Sequence, residues 1–344
     1  MSPIKIDLYS DTVTQPTLEM RHFMSKAQVG DEQKFEDPTV NQLQDKVAEL
    51  LGKEAGLFLP SGTMCNQIAL RVHCRPGDEV LLHRSAHPLS SEAGGLAVLS
   101  GATATGLEAR RGVFSADQVK AAIRPVSRYA PRTRVISIEQ TSNSGGGTPW
   151  SLNAIQEIVE VARERDLILH MDGARLFNAV VATQTSAKNF AAPFDTVWVD
   201  FSKGLGAPVG AVLAGRRSLI DEAWPWKQRL GGAMRQAGII AAGGIYALEH
   251  HIDRLADDHE NAKFLAQGLA KIPGIKLNPD EVETNIVIFE VSQSAAIIAE
   301  KFLDRGLRMS LPGPFSLRAV THLNISRRDV EQALQIVSQC LDDI

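Results

Sequence analysis

The chain has 344 residues, of which 44% are hydrophobic and 22% are charged, and this globular composition excludes a disordered or collagen-like protein. A formal net charge of −4 leaves no basic surface typical of nucleic-acid or anionic-membrane binding. Cys65, Cys74 and Cys340 are too widely spaced for a CxxC redox pair or zinc motif and suit a reducing compartment. Because the first residues also lack the pattern of a signal peptide, we expect a cytoplasmic enzyme with no nucleic-acid or membrane partner.

A polar arm, residues 1–17, precedes the first periodic pattern. Val40, Leu43 and Val47 then recur at helical spacing, which predicts a helix. The helix is expected to begin at Pro38, since proline is well tolerated in a first helical turn.

A βαβ unit is predicted near the middle of the chain. The apolar segments RVISIE (134–139) and LILHM (167–171) are predicted strands, and Ser151 is expected to cap a helix between them. Segments 196–201 and 209–214 are predicted to be two more strands. Strands this apolar indicate a mostly parallel sheet that helices cover on both faces.

The pattern changes after about residue 250. A charged segment, 249–272, is predicted to be a helix, and strands are expected at 285–291 and 318–324. We therefore predict the α/β class: a large domain with a mostly parallel sheet at residues 18–250, and a smaller α+β domain at residues 251–344.

Three of the predicted strands end in polar residues, where ligands bind in parallel sheets. These ends carry Glu139, Asp172 with Arg175, and Lys203. Pyridoxal phosphate needs a lysine for a Schiff base and an acidic residue beside its pyridine nitrogen, which favours this cofactor for Lys203 and Asp172. The alternative is that Asp172 caps the next helix and Lys203 is a solvated turn residue.

A phosphate cradle is predicted at Ser61, Gly62 and Thr63. This turn follows an apolar run and opens an apolar helix, so its backbone N–H groups and hydroxyls suit an anion. A simple N-cap is the alternative. Arg235 is a candidate second phosphate ligand, or equally a surface charge.

Several segments together resemble the low-specificity threonine aldolases, members of the β-eliminating lyase group of fold-type I pyridoxal phosphate enzymes. The most specific are HMDGARLFNAV, SKGLGAPVGAVL and LGGAMRQAG, and further matching segments run almost from end to end. The resemblance implies retro-aldol cleavage of β-hydroxy-α-amino acids, such as threonine, allo-threonine or phenylserine, to glycine and an aldehyde. It also implies a homo-oligomer, a dimer or a tetramer, with active sites at subunit interfaces.

The resemblance also implies a role for each matching residue. Lys203, His87, Asp172 and Arg175 would be catalytic. The cofactor would be bound by Lys203, Asp172, Ser61, Gly62, Thr63, His87, Arg175 and Arg235. The substrate would be bound by Ser10, Arg175 and Arg318. Ser142 and Lys34 stand at further substrate-binding positions but differ from the family there, and a solvated rim residue is the alternative for Lys34. No metal site is expected, because His250, His251 and His259 are better explained as a polar helix face.

The chain departs from this family on the substrate side. Tyr9 stands where arginine is usual, Ser142 replaces a histidine, and Lys34 replaces a tyrosine donated by the adjacent subunit. The departures keep two alternatives open: another pyridoxal-phosphate lyase, or an enzyme for β-elimination, racemisation or transamination of an amino acid with an altered β-substituent, for example an acidic one. A third alternative, a non-catalytic scaffold, has no use for both Lys203 and Asp172.

Overall fold

The computed structural model describes residues 3–342. Its strands are β1 Ile6–Asp7, β2 Ala55–Leu59, β3 Asp78–His83, β4 Thr103–Leu107, β5 Arg132–Glu139, β6 Ile168–Gly173, β7 Thr196–Asp200, β8 Ala211–Gly215, β9 Ile275–Lys276, β10 Ile286–Val291, β11 Leu307–Arg308, β12 Ser310–Gly313 and β13 Ser316–Val320. Its helices are α1 Leu18–Ser25, α2 Pro38–Leu51, α3 Gly62–His73, α4 His87–Ser90, α5 Ala116–Ala122, α6 Leu152–Glu164, α7 Leu176–Thr183, α8 Ala187–Ala191, α9 Arg217–Arg229, α10 Gly238–His250, α11 Leu255–Leu269, α12 Ala295–Asp304 and α13 Arg327–Asp342.

The central sheet has seven strands in the order β2-β8-β7-β6-β5-β3-β4. β8 is antiparallel to both of its neighbours, and the other strands run in one direction. All residues of β7 and β8 are buried, as expected for strands covered on both faces. The predicted mostly parallel sheet is confirmed.

The helices begin where local capping chemistry directs them. Asp37 accepts a hydrogen bond from Val40 N at 3.0 Å and Pro38 occupies the first turn of α2, as the sequence predicts. Gly52 ends this helix with a φ of 64°, a conformation that glycine adopts without strain. Ser151 caps α6 by accepting from Ala154 N at 3.2 Å, so that prediction is also confirmed.

A second, antiparallel sheet has the order β12-β13-β10-β9, and helices α11, α12 and α13 pack near it. Ile6, in β1, and Leu8, directly after β1, are buried in the hydrophobic core of this region. β1 itself pairs with β11. The N-terminal segment therefore packs against the C-terminal part of the chain. The domain limits at residues 18–250 and 251–344 stay predictions.

The prediction of one helix over 249–272 is wrong. α10 ends at His250, and α11 starts only at Leu255. Between them, the buried His251 ring donates to the Leu205 carbonyl through Nδ1 at 2.7 Å. This tertiary contact accompanies a break that helix propensity alone does not reveal.

Cys65, Cys74 and Cys340 are buried thiols. Across residues 3–342, no helix combines the length and apolar character needed to cross a bilayer.

Candidate active site

A cavity of about 330 Å³ opens beside the carboxyl ends of the parallel strands, where the topology places ligand sites in open α/β sheets. Side chains from strands β5, β6 and β7 line this cavity. The N-terminus of α3 also lines it, and β13 contributes one residue from the second sheet. The predicted site residues that line it are Ser10, Ser61, Gly62, Thr63, His87, Asp172, Arg175, Lys203 and Arg318.

Lys203 enters the cavity from the loop after β7. Its Nζ lies 3.0 Å from Asp200 Oδ2, and Asp200 Oδ1 accepts hydrogen bonds from the backbone N and hydroxyl of Ser202. The side chain of Lys203 is only 19% exposed, so it is not the solvated turn residue of the alternative reading. The buried Asp200 therefore orients the lysine amine.

Asp172 and Glu139 are paired across the neighbouring strands β6 and β5, and both line the cavity. Burial raises the pKa of Glu139 to about 7, and the negative charge of Asp172 adds to this effect. Burial also raises the pKa of Asp172, against the attraction of Lys203. The side chain of Asp172 accepts from Ala174 N, whereas Arg175 is the N-cap residue of α7, so Asp172 does not cap that helix.

A buried ion pair joins Arg175 to the N-terminal segment. Arg175 donates from Nε to Asp11 Oδ2 and from Nη2 to Asp11 Oδ1, both at 2.7 Å. Burial alone would raise the pKa of Asp11, but the charge and hydrogen bonds of Arg175 hold it well below its usual range. Asp11 therefore stays ionised and fixes the guanidinium in one orientation.

Arg318 reaches the same cavity from β13. Its Nη2 donates to Asn143 Oδ1 at 2.8 Å, and Arg175 Nη1 donates to that oxygen at 3.2 Å. Among the described residues, the buried Nε of Arg318 has no hydrogen-bond partner. Burial and the neighbouring charge of Arg175 lower the pKa of Arg318 to about 10. A carboxylate placed here would satisfy an unpaired donor and relieve the repulsion between two cations.

His87 begins the short helix α4 at the cavity edge. Its Nδ1 lies 2.8 Å from Oε1 of Glu92, whose side chain is fully buried. The hydrogen bond to Glu92 raises the pKa of His87, although burial of the ring opposes this effect. A carboxylate in contact with one ring nitrogen of an imidazole is a common arrangement for a general base.

The N-terminus of α3 forms part of the cavity wall. Ser61 caps the helix by accepting from Met64 N, and the first N–H groups of the helix are available to an anion. A Cβ atom at Gly62 would lie 2.3 Å from Cη2 of Trp198. Glycine is therefore required where the helix approaches the indole ring.

Three predicted site residues do not line this cavity in the part of the chain that the structure describes. Lys34 is exposed, and Arg235 is exposed and pairs with Asp31 at 2.9 Å. Ser142 is buried, and its Oγ lies 1.9 Å from the place that a Cβ of Gly112 would occupy. The Ser142 hydroxyl thus faces the Gly112 backbone, because the missing side chain leaves room for it there.

Several polar residues that hold the site together were not predicted from the sequence. Two had a local signal: Asp200 is the penultimate residue of the predicted strand 196–201, just before Lys203, and Glu92 follows His87 by five residues. The other residues become neighbours of the site only through the tertiary fold. They are Asp11, Asn66, Asn143 and Trp198.

The comparisons with known proteins agree on one family. A family model described as beta-eliminating lyase matches residues 7–292. The chain is 41% identical over 329 residues to the low specificity L-threonine aldolase of Escherichia coli (strain K12), covering 95% of this chain and 96% of the relative. It is 38% identical over 344 residues to low-specificity L-threonine aldolase 1 of Arabidopsis thaliana, covering 98% and 96% respectively.

A solved structure shares the fold of the chain. The solved structure of threonine aldolase from Leishmania major matches with a TM-score of 0.83 and 18% identity, covering 97% of this chain and 99% of that one. This likeness confirms the predicted fold class, and the sequence matches confirm the resemblance inferred from the motifs. The chain belongs to the beta-eliminating lyase family.

Proposed function

We propose that this enzyme is a pyridoxal-phosphate-dependent aldehyde-lyase that cleaves β-hydroxy-α-amino acids to glycine and an aldehyde. The observation that carries the proposal is that Asp172, in β6, and Lys203, in the loop after the neighbouring strand β7, line one cavity. A lysine amine and a carboxylate in one site are the two groups that this cofactor requires. Membership in the beta-eliminating lyase family supports the same cofactor.

The residues around the cavity fit the cofactor. Lys203 would bind its aldehyde carbon, Asp172 its pyridine nitrogen, and Ser61, Gly62 and Thr63 its phosphate. The fit is supported by the position of the α3 N-terminus, whose residues Ser61, Gly62 and Thr63 line the cavity and can bind an anion there. When bound to an amino acid, pyridoxal phosphate withdraws electrons from the α-carbon, so that a bond to this carbon can break.

The two arginines define where the substrate carboxylate would bind. Arg318 has an unused Nε donor, and Asn143 holds Arg318 and Arg175 side by side. A carboxylate bound by Arg318 fixes which substituent of the α-carbon points toward His87. Ser10, at the same cavity wall, adds a hydroxyl to this end of the site.

His87 is the proposed proton acceptor. The proton of the β-hydroxyl passes to its imidazole, directly or through a water molecule, the Cα–Cβ bond breaks, and the β-carbon leaves as the aldehyde. The α-carbon keeps the electron pair of this bond and then takes up a proton to give glycine. A base of this kind contributes roughly 10²- to 10⁴-fold to a rate.

The compartment, the oligomeric state and the roles of Lys34 and Arg235 are inferred from the family resemblance. We propose a cytoplasmic homo-oligomer, either a dimer or a tetramer, in which Lys34 and Arg235 of one subunit complete the site of another. Their exposure, away from the cavity of their own chain, supports this assignment. In that position Lys34 would favour substrates with an acidic β-substituent, such as 3-hydroxyaspartate. Lys34→Tyr would then lower kcat/KM for 3-hydroxyaspartate selectively, compared with threonine and phenylserine.

Product analysis tests the proposed reaction. Holoenzyme incubated with threonine should release glycine and acetaldehyde in equal amounts. Release of 2-oxobutyrate and ammonia would indicate β-elimination instead, and loss of optical activity without cleavage would indicate racemisation. Borohydride reduction followed by mass spectrometry should find the cofactor attached to Lys203, and Lys203→Ala should abolish both attachment and cleavage.

A further inference from the structure

A buried hydrogen-bond network lies behind His87, and Asn66 is at its centre. The Trp198 Nε1–H group, which can only donate, contacts Asn66 Oδ1 at 2.7 Å. This contact fixes the orientation of the Asn66 amide. Its Nδ2 group therefore faces two carboxylates, at 2.8 Å from Asp172 Oδ2 and 2.8 Å from Glu92 Oε1.

Glu92 accepts hydrogen bonds at both carboxylate oxygens. Besides the contact from Asn66 to Oε1, Gln67 Nε2 donates to Oε2. With both oxygens occupied by N–H donors, the remaining contact of Oε1, with His87 Nδ1 at 2.8 Å, requires a proton on Nδ1. Nε2 is then the ring nitrogen left to face the cavity.

We propose that Glu92 is a positioning residue that, held in place by Asn66, keeps the proton of His87 on Nδ1 and leaves Nε2 with a lone pair toward the substrate hydroxyl. The inference rests on the proposed function, because it identifies the nitrogen that accepts the β-hydroxyl proton. Asn66 also donates to Asp172. Its amide group therefore fixes the position of the Asp172 carboxylate, proposed to bind the cofactor, relative to that of the Glu92 carboxylate, which contacts His87.

The charges around His87 set the direction of its titration. The hydrogen bond to Glu92 raises its pKa most, Asp172 raises it further, and Lys203 lowers it. Since a base must be deprotonated to act, activity should increase as the pH rises through this pKa. Loss of the Glu92 charge should move this acidic limb of the pH profile to lower pH.

Nitrogen NMR of the holoenzyme without substrate tests the proton position independently of catalysis. Protein labelled with ¹⁵N-histidine is observed at about pH 9, where the ring is neutral, and His87→Asn identifies the resonances of His87. We expect a protonated Nδ1 and an unprotonated Nε2. A neutral ring that carries its proton on Nε2 would overturn the proposal, and this measurement needs no variant of Glu92.

Glu92→Gln tests the effect of the charge. The new amide can keep its carbonyl toward Asn66 and His87 and turn its NH₂ toward Gln67, whose Oε1 has no partner among the described residues and can accept after an amide flip. We expect the NMR titration midpoint of His87 to fall by about 1 pH unit. The acidic limb of kcat/KM should move in the same direction.

Ser91→Ala is the matched control, because Ser91 is exposed and adjacent to Glu92. It should leave the midpoint where it is in the wild type. An unchanged midpoint in Glu92→Gln would contradict the positioning role. If the NMR results are as expected but threonine yields no glycine, the proton placement stands and the proposed function fails, so the two failures are distinguishable.

Discussion

Arg175 and Arg318 donate to the same oxygen, Oδ1 of Asn143, at 3.2 and 2.8 Å. Only the first of these guanidinium groups has a carboxylate of its own in this arrangement, because Asp11 binds two nitrogens of Arg175. Arg318 instead keeps a buried Nε donor without a partner in the described part of the chain. The two guanidinium groups therefore have a single carboxylate partner between them, and the proposed substrate carboxylate supplies the second negative charge.

Replacement of Arg318 tests this relationship. Arg318→Leu should lower kcat/KM for threonine about 10- to 150-fold, which corresponds to about 1.5–3 kcal/mol for hydrogen bonds to a charged group. Most of the loss should appear as a higher KM, since the carboxylate is bound throughout the reaction. Steady-state kinetics of the holoenzyme measure both constants.

The control for this variant is Arg308→Leu. Arg308 pairs with Asp7 in a partly exposed position and is not among the residues that line the cavity. Its replacement should leave KM within about twofold of wild type, as expected for a surface pair. If Arg318→Leu leaves the KM for threonine unchanged, Arg318 does not bind the substrate carboxylate.

Asp11→Asn tests the buried ion pair. The substitution preserves the shape of the side chain but leaves Arg175, which is 5% exposed, without its counter-charge. Breaking a buried pair in this way costs about 3–5 kcal/mol. Chemical denaturation should show this decrease in the free energy of unfolding, whereas Asp7→Asn, which breaks the more exposed pair with Arg308, should cost about 0–1 kcal/mol.

The sequence predicts the residues at the centre of the site better than the residues that hold them in position. Asp172 and Lys203 could be found because each stands at the end of an apolar strand, and strand direction in a parallel sheet brings such ends together. Asp11 lies 164 positions from Arg175 in the chain, and no local pattern connects them. Ser142 was predicted to bind substrate, yet its hydroxyl occupies the space above Gly112, which becomes visible only in three dimensions.

Helix boundaries show the same division between local and tertiary causes. The start of α2 at Pro38 is decided by Asp37 and Pro38 themselves, so the sequence predicts it. The break before Leu255 accompanies the contact of His251 with Leu205, which is distant in the chain. Capping chemistry can thus be read from adjacent residues, whereas a buried polar contact cannot.

Gly62→Ala tests the proposed phosphate cradle. The added methyl would meet the indole ring of Trp198 at 2.3 Å, so either α3 or the ring must move. Overpacking of this kind costs about 1–3 kcal/mol, and we expect weaker binding of pyridoxal phosphate in a fluorescence titration. Thr63→Ala removes a hydroxyl without adding bulk and should retain more of the affinity. Equal cofactor affinity in Gly62→Ala and the wild type would argue against a cradle at this helix end.

The pH dependence of stability should report on Glu139 in the cofactor-free enzyme. Its pKa is raised from 4.5 to about 7, so between these values the folded protein holds a proton that the unfolded chain releases. The free energy of unfolding should therefore fall as the pH rises from about 4.5 to 7, by at most about 3 kcal/mol from this group. Urea denaturation at several pH values should find a shallower decline in Glu139→Gln. Glu108→Gln, at a side chain that is 76% exposed, should decline as the wild type does, and an identical slope in both variants would show that Glu139 does not hold this proton.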